Sequence, residues 1–164
     1  RSAAADGYKG QEDGVFWDGA GLMPEDTEKS LTHSPKYRYP GEATRATLDV
    51  MSAAGDGSKT LRYTSPLDGG PVMPTLDCYY KRIAKDKPTD TKRVTHNQIC
   101  LVVNGDGSSR IGDETIHWSK HDTFTIPHWS WATHTAESTD ADFFIVTDKS
   151  VFENLDLVRE EIQN

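Results

Sequence analysis

Six histidines, two cysteines and a scatter of carboxylates are the side chains in this 164-residue chain that can hold a metal or move a proton. Two of the histidines fall into a pattern. In Lys92-Arg93-Val94-Thr95-His96-Asn97-Gln98 the period of two expected of a strand puts Lys92, Val94, His96 and Gln98 on one face. In Ala132-Thr133-His134 it does the same for Ala132 and His134. Two imidazoles and an amide, from His96, Gln98 and His134, can make a small metal site if those faces meet. Without a carboxylate they are a poor set for iron, so the plainer reading is a pair of partly buried histidines hydrogen-bonded inside the protein. His117, His121 and His128 stand beside turns or alternate outward, and His33 lies in the N-terminal stretch; all four read as surface positions.

Other chemically capable groups lean towards structure. Trp118, Trp129 and Trp131 can stack on an aromatic ring, yet large aromatics at strand ends usually close cores or subunit contacts. Lys81-Arg82 and Lys92-Arg93 can clamp a carboxylate, but alternating charges on strands are normally a solvated face. Asp68-Gly69-Gly70-Pro71 is turn chemistry, with no helix N-terminus following it to make a phosphate loop. The chain contains no G-x-S-x-G, P-loop or H-E-x-x-H motif. Cys78 and Cys100 sit in strand-like runs without C-x-x-C spacing and read as reduced, buried thiols of a cytoplasmic protein.

The elements that must position these groups come in three parts. Residues 1–58 are rich in Gly, Pro, Asp, Glu and Ser, and read as an N-terminal arm whose aromatics (Tyr8, Phe16, Trp17, Tyr37, Tyr39) favour packing over disorder. A short helix is expected near residues 41–52, after Pro40, with Ala43, Ala46 and Val50 on its apolar face. From residue 59 to 150 the period is two. Candidate strands are Leu61–Thr64, Cys78–Ile83, Ile99–Val103, Ser109–Ile111, Thr115–Trp118, Thr123–Ile126, Ala132–His134 and Phe143–Thr147. The Asn104-Gly105-Asp106-Gly107 steps and Gly112-Asp113 read as hairpin turns between them. Regular short strands at this spacing predict an all-β sandwich or barrel. Residues 151–164 are expected to close the chain as an amphipathic helix carrying Phe152, Leu155 and Val158.

Composition removes several function classes. Eighteen Lys+Arg against 26 Asp+Glu give a formal charge of −8, which argues against a partner bound through a phosphate backbone. No apolar run approaches the roughly 18 residues needed to cross a bilayer, and the N-terminus has no signal-peptide core. The first residue is Arg1 rather than Met, as expected of a fragment.

The apolar strand, the Asn104–Gly107 turn, the next strand and then His121-Asp122-Thr123-Phe124-Thr125-Ile126-Pro127-His128-Trp129 resemble the paired motifs of a cupin, a double-stranded β-helix or jelly-roll barrel. More narrowly, the chain resembles gentisate 1,2-dioxygenase and its relatives acting on salicylate and 1-hydroxy-2-naphthoate. The match lies in Tyr37-Arg38-Tyr39-Pro40 with Thr44-Arg45, in Leu61 to Gly70, in Val72-Met73-Pro74-Thr75-Leu76, in Phe124 to Trp131 and in Thr147-Asp148-Lys149-Ser150. It runs from about residue 35 to the end.

Those enzymes are bicupins, and the resemblance implies that this chain is the C-terminal barrel, with an N-terminal cupin barrel missing. It further implies Fe(II)-dependent oxidative ring cleavage of a hydroxylated aromatic acid by the intact enzyme, and a homo-oligomer, dimer or tetramer. Aligned on the Asn104–Gly107 turn, the positions of the family's iron-binding H-x-H pair fall on Lys92 and Val94. The usual carboxylate or amide position falls on Gln98, and the later histidine position falls on Ala132. All three imidazoles are missing. The barrel is therefore expected to be structural, with no metal and no catalytic residue of its own. The alternatives are a small-molecule-binding cupin module, or a stand-alone dioxygenase with a relocated site at His96, Gln98 and His134.

Overall fold

The computed structural model describes residue 36 and residues 38–66 and 69–163. Most of the expected arm lies outside the described residues, including His33 and the Val15-Phe16-Trp17 cluster, as does Asp68 of the expected turn.

In chain order the elements are helix α1 (Gly41–Val50), strands β1 (Lys59–Arg62), β2 (Asp77–Ile83), β3 (Lys92–Val94), β4 (Gln98–Asn104), β5 (Gly107–Ile111), β6 (Glu114–Trp118), β7 (Thr123–Ile126), β8 (Ala132–Ala136) and β9 (Ala141–Thr147), helix α2 (Lys149–Asn154) and strand β10 (Glu160–Ile162). The strands form two five-stranded sheets, ordered β1-β2-β9-β4-β7 and β10-β3-β8-β5-β6, with neighbours antiparallel. The all-β barrel expected from the period of two is thus the observed fold, and its second sheet extends to β10, past residue 150. Alternate residues of the two sheets face each other: Ile83, Cys100, Val102, Phe143 and Ile145 from one, Trp118, Ala132 and Ala136 from the other. Phe143 is the hub, meeting Trp118, Phe124 and His134 edge-on at centroid distances of 4.8, 5.5 and 5.5 Å.

The two expected turns differ in kind. Gly112, at φ +58°, opens a two-residue hairpin in which Ile111 pairs with Glu114. The Asn104–Gly107 segment is no hairpin, because β4 and β5 belong to different sheets. It carries the chain over the end of the barrel instead, with Gly105 at φ +86°.

Both helices depart from their expected form. The buried side chains of α1 are Thr44 and Leu48, while Val50 is exposed. Polar contacts decide that face: Thr44 Oγ1 lies 3.1 Å from the Tyr63 hydroxyl, Lys59 Nζ donates to the Leu48 carbonyl at 2.7 Å, and Asp49 pairs with Arg82. The closing helix spans only Lys149–Asn154, and Asp156 at φ +54° turns the chain away from it. Residues 160–162 are then free to add strand β10 to the edge of β3. Apolar spacing suggested a longer helix, but Leu155 and Leu157 are exposed.

Arg93 holds that added edge. Its guanidinium sits 4.5 Å from the Trp129 ring centre and 4.6 Å from that of Trp131, and it donates to Glu161 of β10 at 2.6 Å. Trp118 belongs to the core, but these other two tryptophans clamp a cation. Replacing Arg93 with Ala is expected to cost about 1–2 kcal/mol, lowering the urea midpoint and shifting the tryptophan emission to the red. An unchanged midpoint would show that β10 is held by its backbone pairing alone.

Candidate functional site

The strand faces read from the sequence do meet. Lys92, Val94, His96, Gln98, Ala132 and His134 all line one cavity of about 130 Å³ between the sheets. Period two explains the convergence. Gln98 stands beside Thr147 and Cys100 beside Ile145 on β4 and β9, while β3 and β8 pair at Lys92 and Ala132. The floor is apolar, made by the buried side chains of Val94, Ile126, Ala132 and Ile145.

Both cavity histidines are tied down through Nδ1. The Trp118 indole donates to Ser109 Oγ at 2.8 Å, and that oxygen lies 2.7 Å from His134 Nδ1. A serine hydroxyl accepts twice and donates once, so this pair holds the His134 ring in place whichever nitrogen carries its proton. Thr89 fixes the backbone here: its Oγ1 accepts from the His134 N–H at 3.0 Å. His96 repeats the design, with Thr147 Oγ1 at 2.8 Å from Nδ1 and accepting from the Lys149 N–H at 3.2 Å. Burial pushes His134 down to about 3, aided by the nearby positive charges of Lys81 and Lys92. Burial and Lys149 lower His96 in the same direction. Both rings are neutral at pH 7.

The lysines are where the sequence reading goes wrong. Lys81 and Lys92 read as cations of a solvated face, although period two also sets Lys92 beside His96, and both line the cavity, one from each sheet. Their neighbours Arg82 and Arg93 are the ones pointing outward, Arg82 to the buried Asp142 at 2.7 Å. Lys81 stands in the inward row of β2, opposite Phe143 of β9. The alternation Tyr79, Lys81, Ile83 carries that signal, but an inward cation is rare enough to be read the other way. Desolvation, then Lys92, lowers the pKa of Lys81.

This donor set does not fit Fe(II). Lys92, Val94 and Ala132 bring an ammonium, an isopropyl and a methyl group to the cavity, and none of these coordinates iron. Two lysines add repulsion towards a cation. Among the described residues, no three His, Cys, Asp or Glu side chains converge as a metal site. Cys100 is buried and free, its thiol pushed up to about 12 by burial, and Cys78 is also free.

Two antiparallel sheets closed over an aromatic core, with a cavity at one end lined by strand side chains, define a cupin barrel. By sequence, this cupin is similar over most of its length to gentisate 1,2-dioxygenase and related ring-cleaving dioxygenases. It is 35% identical over 147 residues to gentisate 1,2-dioxygenase 1 of Aquipseudomonas alcaligenes, covering 87% of this chain and 42% of that protein. It is 32% identical over 133 residues to a 5-aminosalicylate 1,2-dioxygenase of a Comamonas species, covering 77% and 35%. Among solved structures, a salicylate 1,2-dioxygenase from Pseudaminobacter salicylatoxidans superposes with a TM-score of 0.76 at 28% identity, covering 91% of this chain and 45% of the other. No family model matches the chain. The chain therefore spans about two fifths of the length of the curated relatives it matches.

Proposed function

We propose that this chain is the C-terminal cupin half of a ring-cleaving dioxygenase of the gentisate type, and that its own barrel is structural and metal-free. In the intact protein, Fe(II) and the hydroxylated aromatic acid belong to the other barrel. This half supplies scaffold and contacts for a homo-oligomer in the cytoplasm, where its two free cysteines stay reduced. One observation carries the reading: Lys92, Val94 and Ala132, where the resemblance places the family's histidines, all line one cavity and none of them can hold a metal.

Metal analysis after anaerobic exposure to Fe(II) and desalting tests this directly. Iron near zero, with retained β structure, is expected. One tightly held iron per chain would overturn the reading and favour a relocated site at His96, Gln98 and His134. In that case oxygen uptake with gentisate should disappear in His134→Ala.

A further inference from the structure

We propose that the barrel cavity is a binding site for a small organic monocarboxylate, its charge taken by Lys81 and Lys92 and its apolar body resting on Val94, Ile126 and Ile145. This inference rests on the metal-free reading above, since a metal ion and a carboxylate would compete for the same space.

The charge pattern comes first. Three lysines line the cavity, Lys81, Lys92 and Lys149, against two carboxylates, Asp90 and Glu160. Lys149 pairs with Glu153 at 3.3 Å and Lys92 reaches Glu160 at 3.6 Å. Among the described residues Lys81 has no carboxylate within 4 Å. Lys81 thus faces a concave, largely protein-walled space without a direct ion-pair partner, and Asp56 and Glu160 act on it only from further away. Convergent like charges on opposite walls repel, and an anion between them relieves that cost. A monoanion suits the one lysine that lacks a direct partner, whereas a dianion would meet Asp90 and Glu160 with charge to spare.

Shape and polarity then define the rest of the ligand. A cavity of about 130 Å³ approaches the roughly 150 Å³ of an apolar cavity known to accept benzene. Its floor is apolar, so the ligand needs a hydrophobic body as well as a charge. His96 and His134 also line the cavity as neutral imidazoles, and the tautomer with its proton on Nε2 donates to a bound carboxylate.

The test is calorimetric titration of the 164-residue chain with benzoate, benzamide and inorganic phosphate, on protein whose iron content has been measured. Benzoate is expected to saturate one site. Benzamide, which has the same shape without the charge, and phosphate, which has charge without the body, should each bind at least about tenfold more weakly. Lys81→Met and Lys92→Met should each weaken benzoate by roughly tenfold. Lys92 is half-exposed, so its variant keeps the test available if Lys81→Met does not fold. Absence of saturable benzoate binding to folded, iron-free protein would overturn the inference and leave the metal-free reading standing. So would benzamide binding as well as benzoate, phosphate binding as well as benzoate, or benzoate affinity unchanged in a folded lysine variant. Iron found in the protein would instead overturn the metal-free reading.

Discussion

Replacing Gly107 with alanine is expected to destabilise the barrel by on the order of 3 kcal/mol or more, a large share of the roughly 5–15 kcal/mol that holds an ordinary domain folded. Gly107 opens β5 directly after the segment that crosses between the sheets, and Ala136 of β8 lies opposite. A methyl group there would stand 2.1 Å from the Thr135 carbonyl oxygen and 2.8 Å from the Trp118 ring. Neither neighbour can yield cheaply. The carbonyl belongs to the β8 backbone, and Trp118 is wedged against Phe143 while donating to Ser109. Gly112→Ala is the control, since its methyl group meets open space and only the backbone strain of φ +58° remains, worth about 1 kcal/mol. Urea unfolding of both variants decides the matter. Equal losses would mean that conformation alone, and not the close approach of β8, requires Gly107.

That position also shows what could and could not be read in the sequence. The Asn-Gly and Asp-Gly steps marked a sharp change of direction, which is a local property of the residues involved. Whether the chain returns beside β4 or crosses to the second sheet is decided by non-local burial, which dipeptide chemistry does not encode. The same division holds elsewhere. Strands such as Thr123–Ile126 and Ala141–Thr147 showed themselves through strong periodicity. The three-residue β10 did not, because Glu160–Ile162 is exposed throughout and is a strand only by pairing with β3. In α1 the apolar residues suggested the wrong face, since hydrogen bonds of Thr44 and Lys59 outweigh the small gain from burying alanines.

For the cavity, period two was enough to bring His96, Gln98 and His134 to one place. It was not enough for Lys81, where an average preference for exposed lysine opposed the alternation and was the wrong guide. The supports behind the imidazoles, Ser109 with Trp118 and Thr147 with the Lys149 N–H, were likewise invisible. They join residues on different strands, and nothing in a serine or threonine announces such a partner.

Those supports set up the second large effect, a loss of stability on acidification that runs through His134. In an unfolded chain this imidazole titrates near 6.5, while in the barrel it is held down to about 3, first by burial and then by Lys81 and Lys92. Between those values the unfolded chain carries a proton that the folded one refuses, so stability falls as pH falls through that window. By pH 5 the loss from this residue is about 2 kcal/mol. Comparing urea unfolding of the wild type and His134→Gln at pH 7 and pH 5 isolates the contribution. Carboxylates and His96, also lowered, remain in both proteins and cancel in the difference. The wild type should lose about 2 kcal/mol more than the variant on going to pH 5. Parallel losses would mean that the ring takes up its proton within the folded barrel. Lys92→Met then separates the causes: burial comes first, so removing one lysine charge should raise the His134 titration only partway and leave most of the acid sensitivity in place.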